Sequence, residues 1–350
     1  MEQSICVKKE DRNRVGKYSA FLLVLLVMIG VFLFGGMWLN RPFFNGGPTT
    51  IIIKENTSFN EMCQSLSVKC ARMPLMLFRR LCIFTGYDRK MLMGSYSFTG
   101  KENFYSVFHT MTRGIQTPIQ LVIHNIRTPE ELAGCLGRQL MADSAKFLNL
   151  LEDDNFCGKH GFTKENIRCM FLPNTYEVYY TTSPQMIFER MHVEYDAFWN
   201  EKRQEQLKKL NISQTDAIII ASITEEESNN KNEMGIICGL YYNRLKKGMP
   251  MQACPTIKYA LGKFNLRHVL YSHLKVDSPY NTYVHLGLPP GPIRIPEGST
   301  IDALLYHTPH NYLFMCADAD RPGWHRFSST AREHESNASR YHAKMNRKGR

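Results

Sequence analysis

The apolar pattern of this chain begins with a stretch that has no alternation. From Tyr18 to Asn40 the run YSAFLLVLLVMIGVFLFGGMWLN carries no charge, and one helical crossing of a bilayer takes about twenty apolar residues. Trp38 near its far end suits the membrane interface. A cleaved signal peptide would have a shorter core and a small-residue cleavage site, so residues 18–40 are expected as a retained transmembrane helix. Lys8, Lys9, Arg12, Arg14 and Lys17 precede it, which predicts a cytoplasmic N-terminus at residues 1–17 and an extracytoplasmic remainder. Residues 41–48, rich in Gly, Asn and Pro, read as a linker.

Regular periods then take over. Thr49 to Lys54 is a β-branched strand pattern, and Ser58 with Glu61 forms a capping box ahead of a helix. Met73 to Phe84 continues helical, Gly94 to Phe98 reads as a strand, and Asn103 to Arg113 as a helix ended by Gly114. Residues 49–114 are therefore expected as a small α+β module.

Residues 115–350 carry a larger mixed domain. A strand is expected at Pro118 to Ile123, and Thr128 with Pro129 opens a mainly helical region to residue 168. Phe171 to Tyr180 is aromatic and β-leaning, and Pro184 to Leu210 reads as one long charged helix. Beyond the central stretch described next, a helix starts near Pro255 and an irregular region dense in Asn, Pro, Gly and Tyr runs from Asp277 to Ile293. Long loops inside a folded domain are usually binding surfaces or lids. A helix at Ser299 to Tyr306, a buried strand at Tyr312 to Ala317 paired with His325 to Ser328, and a closing helix from Thr330 to Lys344 complete the pattern. The fold class is α+β.

The chemistry concentrates in Asp216 to Gly248, where a run of Ile and Ala enters Glu225, Glu226 and Glu227. In helical phase Glu227 follows Thr224, Ile223 and Ile220 by three, four and seven residues and shares their apolar face, while Glu225 points roughly the other way. A carboxyl among apolar neighbours resists ionising, as a general acid near neutral pH requires. The same spacing also fits a solvated acidic patch at a helix end, and Glu226 reads as solvent-facing.

A formal net charge of +11 suits nucleic acid, anionic lipid or an acidic polymer. Much of the excess sits at the two termini, with no basic helix interleaved with aromatics between them, so nucleic acid is not an expected partner. The ten cysteines show no CxxC or metal-ligand spacing, so no metal and no other cofactor is expected, and buried free thiols are the expected state of most.

Several segments occur in one order. They are Ala221-Ser-Ile-Thr-Glu-Glu-Glu-Ser228, Tyr242-Asn-Arg-Leu245, Gly248-Met-Pro-Met-Gln252, Pro255-Thr256, Tyr280-Asn-Thr-Tyr283, Gly287-Leu-Pro-Pro-Gly-Pro-Ile293, His325-x-Phe327 and Glu333-His334. Together they resemble the membrane-anchored endolytic murein transglycosylases, the MltG or YceG-like family, densely from about Asn211 onward. Upstream, Phe171 to Tyr176 looks like that family's Phe-Pro-Asp-Thr-Tyr segment with Asn174 in place of Asp, and residues 49–114 look like its LysM-like module. Cys254 stands where the family commonly has Asp before Pro-Thr.

The resemblance implies cleavage of the β-1,4 bond between N-acetylmuramic acid and N-acetylglucosamine without water, leaving 1,6-anhydro ends on nascent strands. It places the catalytic acid on Glu227 and a supporting carboxylate on Glu225. Asn243, Gln252, Thr256, Tyr280, Asn281 and Thr282 match positions that would line the sugar groove. Implied partners are glycan strands, the bacterial inner membrane and the glycan synthases. Two alternatives differ in chemistry: a water-using muramidase, and a non-catalytic wall-binding scaffold of the synthesis machinery.

Overall fold

The computed structural model describes residues 21–30, 36 and 40–348. The expected cytoplasmic segment 1–17 lies outside them, as does much of the expected transmembrane helix 18–40. Residues 21–30 of that span are helical with exposed side chains. Among the described residues no helix is long and apolar enough to cross a membrane. The chain separates into two units, one reaching Ile119 with Tyr179–Thr181 added, the other made of Gln120–Val178 and Thr182–Arg350.

The first unit follows the expected order: β1 (Thr49–Ile53), α1 (Phe59–Ser67), α2 (Arg72–Thr85), β2 (Gly94–Phe98) and α3 (Phe104–Arg113). β1 and β2 pair antiparallel with Ile51 opposite Tyr96. Alternation buries Thr49, Ile51 and Ile53 on one face of β1, as a two-residue side-chain period requires. The Ser58 capping box forms as expected, with Glu61 N–H donating to Ser58 Oγ at 3.2 Å and Ser58 N–H to Glu61 Oε2 at 2.8 Å. α3 ends on Gly114 at φ 66°, left-handed backbone that glycine adopts without a Cβ penalty.

Residues 41–48, read as a linker, contribute to this core instead. Phe43 and Phe44 are buried, Phe43 packs 5.5 Å from the Phe78 ring, and Pro42 and Phe44 bridge Asn103 and Cys70. Two adjacent phenylalanines bury more apolar area than the surrounding Gly and Asn residues can hold in solvent.

The second unit opens within β3 (Ile119–Ile123), at Gln120, and continues with α4 (Pro129–Gln139), α5 (Ser144–Glu152), α6 (Asp154–Lys159) and β4 (Asn174–Val178), which pairs with β3. The long helix expected from Pro184 to Leu210 is two helices, α7 (Pro184–Phe198) and α8 (Glu201–Leu210). The break has a local cause: Asn200 takes extended backbone and its Oδ1 caps Arg203 N–H at 3.2 Å, while Trp199 is buried beside it. Asn is a strong N-cap, and apolar periodicity does not register a cap within a charged stretch.

α9 (Gln214–Glu227) is the centre of this unit. Every residue from Ala217 to Glu225 is buried, and α9 contacts α10 (Met234–Lys246), α11 (Cys254–Ala260) and α12 (Gly298–Leu305). A helix enclosed on all sides is apolar all round, so the single core-facing stripe expected from helical phase is absent. The irregular region from Asp277 to Ile293 is without helix or strand, and a short turn at His273–Lys275 precedes it. β5 (Phe314–Ala317) and β6 (His325–Ser328) form the expected hairpin, and α13 (Ala331–Lys348) closes the described chain against both. β5 is half-buried rather than buried.

Candidate active site

α9 ends at Glu227 itself, because Ser228 turns to extended backbone while its N–H still bonds to the Thr224 carbonyl at 3.2 Å. The carboxyl therefore sits at the negative end of a buried helix, where the backbone dipoles disfavour a second negative charge. It opens into a cleft of about 440 Å³ lined also by Tyr241, Arg244, Gln252, Cys254, Tyr283 and His325. Tyr241 Oη–H donates to Glu227 Oε1 at 2.8 Å. Burial pushes the Glu227 carboxyl above the usual range, opposed by that hydrogen bond and by the charges of His325, Lys258 and Arg244. A carboxyl of this kind holds a proton at higher pH than a solvated one, and the cleft leaves it accessible.

The other two glutamates point elsewhere. Glu225 is buried and accepts from Thr300 Oγ1 at 2.6 Å and from Glu297 N–H at 2.7 Å, with Arg294 Nε 3.2 Å away. Burial raises its pKa, and these partners pull it back. Glu226, expected to face solvent, is paired: Arg127 Nε lies at 2.8 Å and Arg294 Nη1 at 3.1 Å, and its side chain keeps only 16% of its exposure. Two arginines from distant segments enclose it, which no local spacing reveals.

The six expected groove residues divide. Gln252 lines the cleft, in left-handed backbone at φ 50°, an uncommon geometry for a non-glycine residue. Its N–H is tied to the Thr282 carbonyl at 3.1 Å. Thr256 and Thr282 are buried and share a 2.8 Å hydroxyl contact, while Thr282 Oγ1 accepts the Ala253 N–H at 3.1 Å. Asn281 is buried, donating to the Leu274 and Val276 carbonyls at 3.0 and 2.8 Å. Asn243 donates to the His310 and Tyr312 carbonyls at 2.7 and 3.2 Å. Tyr280 packs 4.6 Å from the Tyr259 ring, the two planes tilted by 44°. These five hold loops together, and the two threonines with Asn281 fix the backbone that presents Gln252.

Other cleft residues were not among the expected groove residues. Arg244 is buried, with Nε on the Leu313 carbonyl at 2.6 Å and Nη1 on those of Pro250 and Met251 at 3.1 and 2.8 Å. It binds α10 to the Gln252 loop and to the entry of β5, and burial lowers its pKa. Cys254 is exposed, its Sγ 3.3 Å from Tyr283 Oη. His325 starts β6 and is anchored to Glu233. The sequence signals for Arg244 and His325 were the Tyr-Asn-Arg-Leu and His-x-Phe segments; Tyr241 and Glu233 had none. Among the described residues no three His, Cys, Asp or Glu side chains converge as a metal ion would require.

A model of the YceG-like family matches residues 51–340. A protein of Bacillus subtilis (strain 168) named endolytic murein transglycosylase is 39% identical over 148 residues, covering 42% of this chain and 40% of its own length. One of the same name from Streptococcus pneumoniae serotype 2 is 27% identical over 207 residues, covering 58% and 37%. The chain thus spans about two fifths of the length of these curated relatives. The crystal structure of a yceG-like protein from Listeria monocytogenes aligns with a TM-score of 0.56 at 26% identity, over 83% of this chain and 98% of that one.

Proposed function

This chain belongs to the YceG-like family, and on that premise we propose that it is an endolytic peptidoglycan lytic transglycosylase whose acid is Glu227. The observation that carries the reading is a single carboxyl, with its pKa raised by burial, held by Tyr241 at the wall of an open cleft. Protonated Glu227 donates to the glycosidic oxygen between N-acetylmuramic acid and N-acetylglucosamine as an oxocarbenium-like centre develops. The 6-hydroxyl of the muramic acid closes on the anomeric carbon and gives its proton to the now ionised Glu227, leaving a 1,6-anhydro end. An internal nucleophile held in place replaces the second carboxylate of an ordinary glycosidase.

Glu225 and Glu226 are occupied by Thr300, Arg294 and Arg127, which leaves neither free to activate water and disfavours a muramidase. Glu225 then supports the acid by anchoring the end of its helix. Around this centre we place residues 115–350 as the catalytic domain. The strand-helix-helix-strand order of residues 49–98 supports a LysM-like module. Residues 18–40 would anchor the chain in the bacterial inner membrane with the catalytic domain outside, near nascent strands and their synthases.

The test is muropeptide mass spectrometry after incubation with uncrosslinked glycan strands. Anhydro ends are expected from the unaltered protein and none from Glu227→Gln. Reducing ends would establish the muramidase, and equal cleavage by both proteins would remove Glu227 as the acid.

A further inference from the structure

α2 has two apolar faces, and the core of the first unit covers one of them. Phe78 and Cys82 are buried in that core. Met73, Met76, Ile83 and Phe84 are exposed, Phe84 at 87%. At about 100° per residue these four fall within about 100° of arc, with Arg80 among them and nearly opposite Phe78 and Cys82. A helix apolar all round belongs in an interior, and contiguous apolar side chains left at a surface mark an interaction site.

The surroundings of this stripe are basic. Between Lys69 and Lys90, Arg72, Arg79, Arg80 and Arg89 stand against Asp88 alone. Lys69 bonds to the Thr50 carbonyl and Arg79 to Asn60 Oδ1, neither to a carboxylate. The chain before the module narrows the choice of partner. The uncharged run 18–40 ends directly on the module, because Pro42 and Phe44 bridge Asn103 and Cys70 and Phe43 packs on Phe78 of α2 itself, 5.5 Å between rings. Residues 41–48 leave no slack between that run and α2.

We propose that the outer face of α2 docks on the bilayer that residues 18–40 enter, with the four apolar side chains at the acyl-chain boundary and Arg72 and Arg80 on anionic phospholipid headgroups. This rests on the reading of residues 18–40 as a membrane anchor. One short amphipathic face binds a bilayer weakly by itself, but a tether without slack makes the contact intramolecular, at high effective concentration. Arg80 lies within the stripe and reaches headgroup level on its own apolar stem. A docked module cannot swing on its anchor, which keeps the chain in the layer next to the membrane.

The experiment uses the full chain reconstituted in vesicles of phosphatidylethanolamine and phosphatidylglycerol. The photoreactive residue p-benzoylphenylalanine is placed at Phe84 or, as a control, at Ile52, which is 48% exposed on the face of β1 turned away from the core. After irradiation, mass spectrometry should find about fivefold more phospholipid adduct at position 84 than at position 52. On phosphatidylcholine alone the adduct at position 84 should fall about threefold, and Arg72→Glu with Arg80→Glu should lower it as far on the anionic vesicles. Both arginines are exposed, so thermal unfolding should be unchanged in that variant. Equal adduct at the two positions, equal adduct on both vesicles, or crosslinking of position 84 to a second copy of the chain would each overturn the proposal. In those cases a chain that still floats with the vesicles after alkaline carbonate washing keeps the anchor. A chain that carbonate releases would overturn the anchor and the proposal together, and that wash distinguishes the two failures.

Discussion

Tyr241 and Glu227 stand fourteen residues apart on successive helices, and the phenol donates to the carboxyl over 2.8 Å. The bond runs between the end of α9 and the middle of α10, so the packing of two helices sets the orientation of one proton. Burial and the neighbouring Glu227 charge push the Tyr241 hydroxyl well above its ordinary pKa, so it stays protonated and remains a donor.

That bond predicts a pH effect of definite sign. A donor to the ionised carboxylate favours ionisation, and Tyr241 lowers the Glu227 pKa against the larger effect of burial. Tyr241→Phe should therefore raise the pKa of Glu227, and the alkaline limb of the rate profile should move to higher pH. Rates of anhydro-end formation across pH check this, and a limb that stays in place or moves down would show that the bond does not tune the acid.

Glu225 should behave as a structural residue. Glu225→Ala leaves Thr300 Oγ1, Glu297 N–H and one side of Arg294 without their acceptor, and breaking a buried pair costs about 3 kcal/mol. Arg294 retains Glu226 at 3.1 Å, which holds the loss to the low end of the range. Urea unfolding should show a lower midpoint at unchanged slope.

Gly291 has no room for a side chain. A Cβ there would overlap the Glu165 carbonyl oxygen and approach Tyr280 Oη at 3.1 Å. Gly291→Ala must displace the Pro-rich loop or the Glu165 backbone, at about 3 kcal/mol. Thermal unfolding should register it as a drop of several degrees.

Cys254 is the exposed thiol at the cleft, while the other described cysteines are buried or half-buried. Burial raises the pKa of Cys238 and Cys169 to about 12 each, which leaves them little thiolate near neutral pH. Iodoacetamide should label Cys254 first among these and block the cleft, and Cys254→Ser should resist inactivation. Peptide mass spectrometry with parallel activity measurement reads both.

Much of the secondary structure was legible because its signals are local. Ser58 caps Glu61 N–H, Asn103 caps Ser106 N–H, Thr128 caps Glu131 N–H and Gly114 N–H bonds to the Met111 carbonyl, each within a few residues, so sequence spacing contains the interaction. The break at Asn200 carried the same kind of signal and was hidden by the charge around it. Family resemblance singled out Glu227, and the cleft gives that residue a raised pKa and an opening.

By itself, then, the sequence determined where most helices and strands begin, which family the chain belongs to, and which stretch holds the candidate acid. Only the tertiary structure decided what surrounds that acid. Glu226 meets Arg127 across 99 residues, Glu233 meets His325 across 92, and Asn243 meets His310 across 67. Helical phase cannot choose among three adjacent glutamates when the helix is enclosed on all sides. The charge state and direction of each follow from partners that only the folded chain brings within a few ångströms, where hydrogen bonds and desolvation act.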